Sequence, residues 1–540
     1  MMDNKEIFLY KPQKKDNDAI KVWFSFPCNY NIGMSALGYL HLFRLMDENP
    51  KTDVERIFTD TELSRHNLKD VDVFGFSFSF ELDFLNIFKI LQKYNIPLKS
   101  KDRDDSYPLI FAGGPVLSVN PEPFSDFFDF ILVGDGEVMM NEAMNFIQNS
   151  KGKKTKAEIL EGLASIEGVY VPSLYNFEYD KDGAVSSVFP NIPVKKRVMT
   201  DMRCVFTPII TENTMFSNNC LIELYRGCPN RCAFCLSSYL NLPPRYPSFE
   251  EIKGIIDLAL ANTNKIGLLG ALVSAHPQFD KICDYILEKK KEKDFEVSIS
   301  SLRADKLNAK TVKMLSECHQ RSSTIALEAG SQRLRQFINK NLSDDQIAAS
   351  IKTASENGLK SLKIYAMIGL PEEEDKDIEN MVTLVKNLQK ENKDISLTLS
   401  TSSFVPKAQT PFQWYGREDE KTLESRNNYL KKHLHMAGIK YRPTSIKWDE
   451  IQAIISRGDR RLSDLLIKVY EYKASLGSWH RAYKELSEAE SIPPLEFYSK
   501  RKIPFEETLP WDLVENTVSK QQLVDELKRL QNLLYTSSGK

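Results

Sequence analysis

The chain has 540 residues, of which 42% are hydrophobic and 27% charged, and 72 Lys and Arg against 74 Asp and Glu give a formal net charge of −2. This length exceeds one ordinary hydrophobic core, so we expect about two to four domains of globular composition. The charge balance argues against a chain-wide basic surface for nucleic acid, although a local basic patch could still bind RNA. Eight cysteines in so long a chain argue against a disulfide scaffold.

The N-terminal sequence MMDNKEIFLYKPQKKDND contains no apolar core and no cleavage site, and no run of the chain approaches the length of a membrane span. We therefore expect no signal peptide, no membrane partner and a cytoplasmic location.

The first 150 residues alternate between strand-like and helical patterns. Strand-like runs lie at residues 20–26, 54–58, 71–76, 109–112 and 128–133. Helical spacing of apolar residues covers 82–94 and 138–147. This alternation predicts an α/β, doubly wound (Rossmann-like) domain over 1–150, with ligands beyond the carboxyl ends of its strands.

Glycines are concentrated at those carboxyl ends. Gly113 and Gly114 lie in AGGP, and Gly134, Gly136 and Glu137 lie in VGDGE. Glycine permits a close backbone approach to a ligand, so these five residues form a candidate ligand loop. Neither segment matches GxGxxG, which makes a dinucleotide site a weak hypothesis.

Residues 151–219 are predicted to be a connector. Alternating runs on both sides of 180–183 indicate a hairpin. Cys204 and Cys220 lie at its far end, and we interpret them as solitary buried thiols, with accessory metal ligands as the alternative.

The segment YRGCPNRCAFC follows a short apolar run and places Cys228, Cys232 and Cys235 in CxxxCxxC spacing. Three thiolates on one tight loop can bind a soft metal centre and leave one coordination position open. A structural zinc site is normally closed by four protein ligands, whereas a reactive centre keeps an open position. Thiolates suit zinc and iron-sulfur clusters alike, so ligand type does not decide the metal.

At these residues the sequence resembles the radical S-adenosylmethionine (radical SAM) enzymes, in which the residue before the last cysteine is aromatic, as Phe234 is here. The resemblance implies a 4Fe-4S cluster held by the three cysteines, with S-adenosylmethionine on the fourth iron. It also implies reductive cleavage to a 5′-deoxyadenosyl radical and an electron donor such as flavodoxin or ferredoxin.

Downstream, strands and helices alternate regularly over 220–416. Strands are predicted at 266–269, 295–299, 323–327, 362–368 and 395–399, and a capping box at Ser343 and Gln346 opens one helix that closes near Gly358. With the strand before the cysteines, these elements make six β/α units. Six units form a partial barrel of the radical SAM type, with active groups at the carboxyl ends of its strands.

The resemblance assigns candidate cofactor residues to those carboxyl ends. Ser274 stands where the family commonly has Gly-Gly-Glu, Glu328 resembles the acid that contacts the ribose or amino group, and Gly369 and Pro371 lie in the segment that packs on adenine. Ser301 and Arg303 form a polar, carboxylate-binding position, while Arg333 or Arg335 pairs with the cofactor carboxylate or lies on a solvated helix face. Lys407, Gln413 and Trp414 face the substrate cavity or close its rim, with core packing as the alternative for the tryptophan.

The front region also fits this family. NPEPF and VGDGE resemble the cobalamin-binding-like domains that precede the barrel in one branch of radical SAM enzymes. The DxHxxG motif that supplies a histidine to cobalt is absent, and His41 and His66 do not lie in that context. Cobalamin is therefore one expected cofactor, and the alternative is a vestigial domain that only packs on the barrel.

Residues 417–540 are predicted to be a mainly helical C-terminal domain. Arg457, Arg460 and Arg461 are clustered there. They bind an anionic substrate or bridge domains through salt links. With this region included, nearly the whole chain resembles one largely uncharacterised radical SAM family.

The sequence thus predicts an enzyme that cleaves S-adenosylmethionine and abstracts hydrogen from an unreactive carbon of an unidentified substrate, with methyl transfer as the outcome if cobalamin binds. Methylthio transfer to tRNA is disfavoured because it needs a second three-cysteine cluster, and Cys28 is the only cysteine before Cys204. The alternative is a non-catalytic iron-sulfur or zinc protein that binds RNA or a protein partner.

Overall fold

The computed structural model describes residues 5–62, 64–489 and 492–537. The first strands in the chain are β1 Glu6–Phe8, β2 Ile20–Ser25, β3 Thr52–Ile57, β4 Val73–Ser77, β5 Leu109–Gly113, β6 Phe130–Leu132 and β7 Val169–Tyr170. The last six form one sheet in the order β3-β2-β4-β5-β6-β7. All neighbours in it are parallel except β6 and β7. The chain adds β3 on one side of β2 and then adds β4, β5 and β6 on the other side. This change of direction after β3 is typical of a doubly wound domain.

Helices cover both faces of this sheet. They include α1 Tyr30–Gly33, α2 Leu37–Asp47, α3 Phe84–Lys93, α4 Pro115–Val119, α5 Met140–Ser150 and α6 Lys156–Ala164. Successive strand residues point to opposite faces, so Phe24 and Phe111 join the core with α2 and α5, whereas Phe74 and Ile110 join the core with α3. The predicted α/β front domain is confirmed.

The connector contains β8 Asn176–Tyr179, β9 Val185–Phe189, β10 Val194–Lys195 and β11 Ile209–Thr211. β8 and β9 form the predicted antiparallel hairpin. β11 pairs with β1. The connector therefore ties the start of the chain to the entrance of the next domain.

The barrel strands are β12 Asn219–Tyr225, β13 Lys265–Gly270, β14 Glu296–Ile299, β15 Ser322–Glu328, β16 Ser361–Ile368, β17 Ser396–Ser403 and β18 Lys440–Pro443. All pairings among them are parallel, in the sheets β12-β13-β14 and β15-β16-β17-β18. A single bridge between Leu302 and Ile325 joins the two sheets. The six predicted strands are present, and β18 is an additional strand from the region predicted to be mainly helical.

The helices around the barrel are α7 Ser237–Leu240, α8 Phe249–Asn262, α9 Phe279–Glu292, α10 Ala309–Glu317, α11 Gln332–Phe337, α12 Asp344–Glu356, α13 Asp375–Glu391 and α14 Glu420–His435. The predicted capping box opens α12, where the Gln346 amide donates to the Ser343 hydroxyl at 3.1 Å. Gly358, just after α12, has φ +103°, which glycine adopts readily.

The C-terminal region contains α15 Ile446–Ser456, α16 Leu462–Glu471, α17 Leu476–Glu488, α18 Leu495–Ser499, β19 Val514–Glu515 and α19 Lys520–Ser537. Leu465 of α16 and Trp479 of α17 belong to the same buried core as Phe74 and Ile110 of the front sheet. These helices therefore cover the front sheet instead of forming a separate core. No helix within the described ranges has the length and apolarity needed to cross a membrane.

Candidate active site

The three-cysteine loop (residues 226–236) joins the carboxyl end of β12 to α7. Gly227 has φ +82°, and a Cβ there would lie 2.2 Å from the carbonyl oxygen of Asn241, so a larger residue would clash. The Cys235 amide donates to the Cys232 carbonyl oxygen at 3.0 Å. These contacts hold the loop in a tight turn at the carboxyl end of the barrel.

Cys228 and Cys232 are buried, and Cys235 is partly buried. Burial raises the pKa of Cys232 to about 12, against the lowering effect of Lys340 and Arg303. Burial also raises the pKa of Cys235. Such thiols are protonated at neutral pH, so a bound metal centre must displace their protons to gain thiolate ligands.

Two of the predicted cofactor residues lie together near this loop. Glu328, at the end of β15, has φ +68°. Its carboxylate accepts a hydrogen bond from the Lys340 ammonium at 2.9 Å. The Arg303 guanidinium donates to Asp305 at 2.6 Å and also to the Lys340 carbonyl oxygen. Sequence reasoning missed Lys340 because a lysine after a short helix carries no motif, and only the fold places it beside Glu328.

The other predicted cofactor residues have varied surroundings. The Ser274 hydroxyl oxygen is buried and has no hydrogen-bond partner among the described residues, while Ser301 is exposed. Arg333 pairs with Asp377 at 2.5 Å, and Arg335 is fully buried and pairs with Asp344. Both arginines therefore already form ion pairs with carboxylates of the protein. A role of Arg333 in binding the cofactor stays a prediction.

Gly369 has φ +74°, and a Cβ there would lie 2.6 Å from Leu423 of α14. Gly369 therefore lets the backbone approach α14 closely, whereas the sequence analysis expected it to approach the cofactor. Pro371 is buried beside it, and Phe234 of the three-cysteine loop packs, partly buried, against an apolar core cluster.

A cavity of about 520 Å³, the front cavity, lies at the carboxyl ends of β2, β4, β5 and β6. It is lined by all five residues of the predicted ligand loop, Gly113, Gly114, Gly134, Gly136 and Glu137. On the barrel side it is lined by Arg226, the first residue of the three-cysteine loop, and by Glu223, Leu240 and Asn241, which flank that loop. No histidine is among its described lining residues.

The glycines of the front cavity serve contacts within the protein. Gly114 has φ +126°, and a Cβ there would lie 2.4 Å from the Phe78 carbonyl oxygen. Gly134 has φ +118°, and a Cβ there would lie 2.0 Å from the Arg197 carbonyl oxygen. Glycine is thus required where two backbone segments meet at the cavity wall.

The carboxylates of VGDGE pair with the barrel. Arg226 donates to Glu137 at 2.8 Å and pairs with Asp135 at 3.3 Å and with Glu223 at 2.7 Å. His41 Nε2 lies 3.9 Å from Glu137, and burial lowers the pKa of His41 to about 4. Glu137, predicted in the ligand loop, therefore connects the front domain to the strand that leads into the three-cysteine loop.

A second cavity of about 200 Å³ lies where the front domain, the barrel and α15 meet. Its polar wall contains Glu81, whose carboxylate pairs with the Lys407 ammonium and accepts from the Ser456 hydroxyl at 3.0 Å. Its apolar wall includes Val119 and Leu236, and Leu236 directly follows Cys235. Lys407 thus lines a cavity, and its role toward a substrate stays a prediction.

Comparison with protein families matches two parts of the chain. Residues 222–385 match the model described as "Radical SAM superfamily", and residues 38–172 match "Radical SAM proteins, N-terminal". The chain belongs to the radical SAM superfamily. Membership implies a 4Fe-4S cluster and S-adenosylmethionine as cofactors.

Curated relatives of this radical SAM protein are distant. An uncharacterised protein of Methanocaldococcus jannaschii, MJ0966, is 28% identical over 443 residues, which cover 82% of this chain and 89% of the relative. A Pyrococcus horikoshii protein named "Uncharacterized methyltransferase PH0819" is 23% identical over 358 residues, covering 60% of this chain and 70% of the relative.

Among solved structures, the cobalamin-dependent S-adenosylmethionine radical enzyme OxsB, with aqua-cobalamin bound, has a TM-score of 0.51 and 14% identity. The match covers 96% of this chain and 80% of that one. At this identity the likeness establishes the fold, including the cobalamin-binding-like front domain, and nothing about ligands.

The residues present fit the cofactors that membership implies. The three cysteines lie on a tight loop at the carboxyl end of the barrel, and the buried Ser274 hydroxyl offers an unused hydrogen-bonding group. In the described part of the chain, no three His, Cys, Asp or Glu side chains are grouped closely enough to hold a single metal ion. A four-iron cluster is larger than one ion, so its thiolate ligands need not converge on one point.

The C-terminal arginines all have partners within the protein. Arg460 pairs with Glu122 of the front domain at 3.1 Å, and Arg461 pairs with Asp459 at 2.6 Å. Arg457 donates to the carbonyl oxygens of Tyr415 and Arg501. Of the two interpretations from the sequence, salt links between domains agree with these contacts for Arg460.

Gln413 and Trp414 are buried. The Gln413 side chain accepts from the Trp511 indole at 2.7 Å, and Trp414 packs against Phe505. They therefore belong to the core, which was the alternative interpretation for the tryptophan.

Proposed function

We propose that this protein is a radical SAM enzyme that reductively cleaves S-adenosylmethionine at a 4Fe-4S cluster and directs the resulting 5′-deoxyadenosyl radical to a hydrogen atom of its substrate. We further propose that it binds cobalamin in the front cavity and transfers a methyl group to the substrate carbon from which the hydrogen atom is removed. Membership of the radical SAM superfamily supports the first step.

One observation carries the second proposal. The front cavity is bounded by the glycine loops of the front domain on one side and by both flanks of the three-cysteine loop on the other. A ligand at the carboxyl ends of the front strands would therefore face the barrel site directly. The methyltransferase name of the Pyrococcus relative and the cobalamin dependence of OxsB agree with such a pair of cofactors.

Each candidate residue has a definite task in this proposal. Cys228, Cys232 and Cys235 hold the cluster as thiolates. The ammonium of Lys340 and the guanidinium of Arg303 place positive charge near Cys232, which favours its thiolate. The Ser274 hydroxyl hydrogen-bonds the cofactor, because a buried hydroxyl without a partner is costly.

The remaining polar groups shape the cavities. Arg226 holds the front loop against the barrel through Asp135 and Glu137. The second cavity, next to Leu236, receives the carbon to be modified, with Glu81 and Lys407 as its polar anchor. The apolar walls exclude water from the reacting carbon.

A pair of variants at one position tests the cobalamin proposal. Ser77 ends β4 and lines the front cavity. Ser77→Trp would fill this space, whereas Ser77→Ala leaves it open. We expect wild type and Ser77→Ala to retain hydroxocobalamin after gel filtration and Ser77→Trp to lose it, as measured by absorbance.

Activity provides the second readout. Anaerobically reconstituted protein with S-adenosylmethionine, hydroxocobalamin and a reductant strong enough to form cob(I)alamin, such as titanium(III) citrate, should release S-adenosylhomocysteine with wild type and not with Ser77→Trp, because bound reduced cobalamin would accept the methyl group. Equal cobalamin retention by the two variants, or retention by none of the three proteins, would refute binding in the front cavity.

A further inference from the structure

One face of the sheet β15-β16-β17-β18 carries a regular array of polar and cationic side chains. The register aligns Thr324, Lys363, Thr398 and Lys440 in one row across the four strands. Two residues further along, Tyr365, Ser400 and Arg442 align in a second row. Residues two apart on a strand share a face, so both rows point to the same side of the sheet.

The opposite side of the sheet is apolar. Leu362, Ile364, Leu397 and Leu399 alternate with the polar residues and are buried in the core beneath the outer helices. The polar rows therefore face the lumen of the barrel. At the level of the second row the lumen is open to solvent, because Tyr365 is 42% exposed.

The rows border a groove of about 440 Å³, the lumen groove. Its lining contains three cations, Lys363, Lys440 and Arg442. The other described lining residues are Ile299, Ser300, Gln320, Ser322, Ser323, Thr324, Ser361, Leu362, Ser396 and Thr398. No Asp or Glu is among them, although acidic residues slightly outnumber basic ones in the whole chain.

The three cations lack carboxylate partners. The Lys363 ammonium donates to the Tyr365 hydroxyl at 2.8 Å. The side chains of Lys440 and Arg442 are exposed and make neither an ion pair nor a hydrogen bond to any described residue. Lys363 and Lys440 are two strands apart, about 10 Å at the usual strand spacing, so their charges repel. An anion between them would relieve this repulsion and gain hydroxyl donors from Thr398 and Ser396.

We propose that the lumen groove binds the phosphate group of a phosphorylated substrate of nucleotide type. Arg and Lys bind phosphate through charge-assisted hydrogen bonds. The Lys363 ammonium lies over one face of the Tyr365 ring, 4.5 Å from its centre, and the other face of this 42% exposed residue offers a stacking surface for a base. The contacts of the groove alone support its role as an anion site. Its role as a substrate site rests in addition on the proposed radical SAM function.

The dimensions suit this substrate class. Glu328 is aligned with Ala366, three residues beyond Lys363 and so about 10 Å further toward the carboxyl end of the barrel. A phosphate in the lumen groove would thus place the rest of a nucleotide-sized molecule alongside Tyr365 and toward Glu328 and the three-cysteine loop.

Calorimetric titration of the full-length reconstituted protein tests the inference. The probes are inorganic phosphate, adenosine 5′-monophosphate, adenosine and a short single-stranded oligoribonucleotide, without reductant or S-adenosylmethionine. The test variant is Lys363→Gln with Lys440→Gln. The control is Lys281→Gln with Lys431→Gln, which removes the same charge from exposed helical positions without ion pairs among the described residues.

We expect wild type and control to bind the monophosphate, and the test variant to bind it roughly tenfold more weakly or worse, since hydrogen bonds to charged groups are lost. Adenosine should be unaffected by the test variant. If the oligoribonucleotide binds more tightly than the monophosphate and loses affinity equally in the test variant, the site recognises phosphodiesters. If inorganic phosphate and the monophosphate bind equally, the site recognises the phosphate group alone.

The inference is overturned if no phosphate probe binds wild type, or if the test and control variants bind the monophosphate alike. These results do not depend on radical chemistry. A protein that produces 5′-deoxyadenosine but binds no phosphate probe would overturn this inference alone, and the reverse result would overturn only the proposed function.

Discussion

Replacing Arg226 by methionine should destabilise the protein more than removing any exposed arginine. The guanidinium pairs with Glu223 at 2.7 Å, Glu137 at 2.8 Å and Asp135 at 3.3 Å, and only 14% of its side chain is exposed. The variant would leave these three carboxylates partly buried without their shared cation. Breaking a buried ion pair on one side typically costs roughly 3–5 kcal/mol, and we expect a loss of that order.

The loss should depend on pH with a definite sign. Burial alone would raise the pKa of Glu137, but Arg226 outweighs burial and holds that pKa below its ordinary value of 4.5. A carboxylate with a lowered folded-state pKa stabilises the protein above its unfolded-state pKa, and this stability is lost as the pH falls through the folded-state pKa. In Arg226→Met burial acts on Glu137 without the guanidinium and raises that pKa above 4.5. The difference in stability between wild type and Arg226→Met should therefore be largest at pH 7 and shrink as the pH falls toward and below 4.5.

Urea denaturation followed by fluorescence, between pH 7 and pH 4, measures both effects. Arg203→Met is the matched control, because Arg203 pairs with Glu251 at 3.1 Å while 78% of its side chain is exposed, and we expect no measurable loss there. The reasoning would be refuted if the two variants lost equal stability, or if the deficit of Arg226→Met grew on acidification.

Three further substitutions test other parts of the structure. Gly134→Ala should cost roughly 1–3 kcal/mol because of its positive φ and blocked Cβ, whereas Gly254→Ala, in an open helical position, should not destabilise; equal midpoints in thermal unfolding would contradict this. Burial lowers the pKa of His41 to about 4, so between pH 6.5 and pH 4 the unfolded chain binds a proton there that the folded protein does not, and stability falls as the pH drops. His41→Met should remove about 3 kcal/mol of that fall. An unchanged dependence of stability on pH in this variant would refute the reasoning. Lys407→Met should cost roughly 3–5 kcal/mol by leaving Glu81 without its cation, and adding Glu81→Leu should restore most of it; a double variant as unstable as the single one would show that the pair is not the cause.

Local signals in the sequence predicted the regular elements well. Ser343 and Gln346 specify a helix start by themselves, because the two groups satisfy each other's backbone donors. The alternation of β16 likewise fixes which residues share a face. Such features depend on neighbours in the chain and need no knowledge of the fold.

Contacts between distant segments were not predictable in this way. Glu137 and Arg226 are 89 positions apart, and nothing in VGDGE shows that its acid pairs with the barrel instead of a ligand. β18 has only four residues, none of them buried, so it lacks the apolar alternation that reveals a strand. The lumen groove was equally hidden, because its cations come together only through the register of β16, β17 and β18.

Production of 5′-deoxyadenosine tests the central claim most directly. Wild-type protein, reconstituted anaerobically with iron and sulfide, should form it from S-adenosylmethionine and dithionite. Cys283→Ala should behave like wild type, because Cys283 lies in the apolar core of α9 and not on the three-cysteine loop. Cys232→Ala should form none. If wild type with a verified 4Fe-4S cluster formed no 5′-deoxyadenosine, with or without phosphorylated substrate candidates, the account of a radical SAM enzyme would be contradicted.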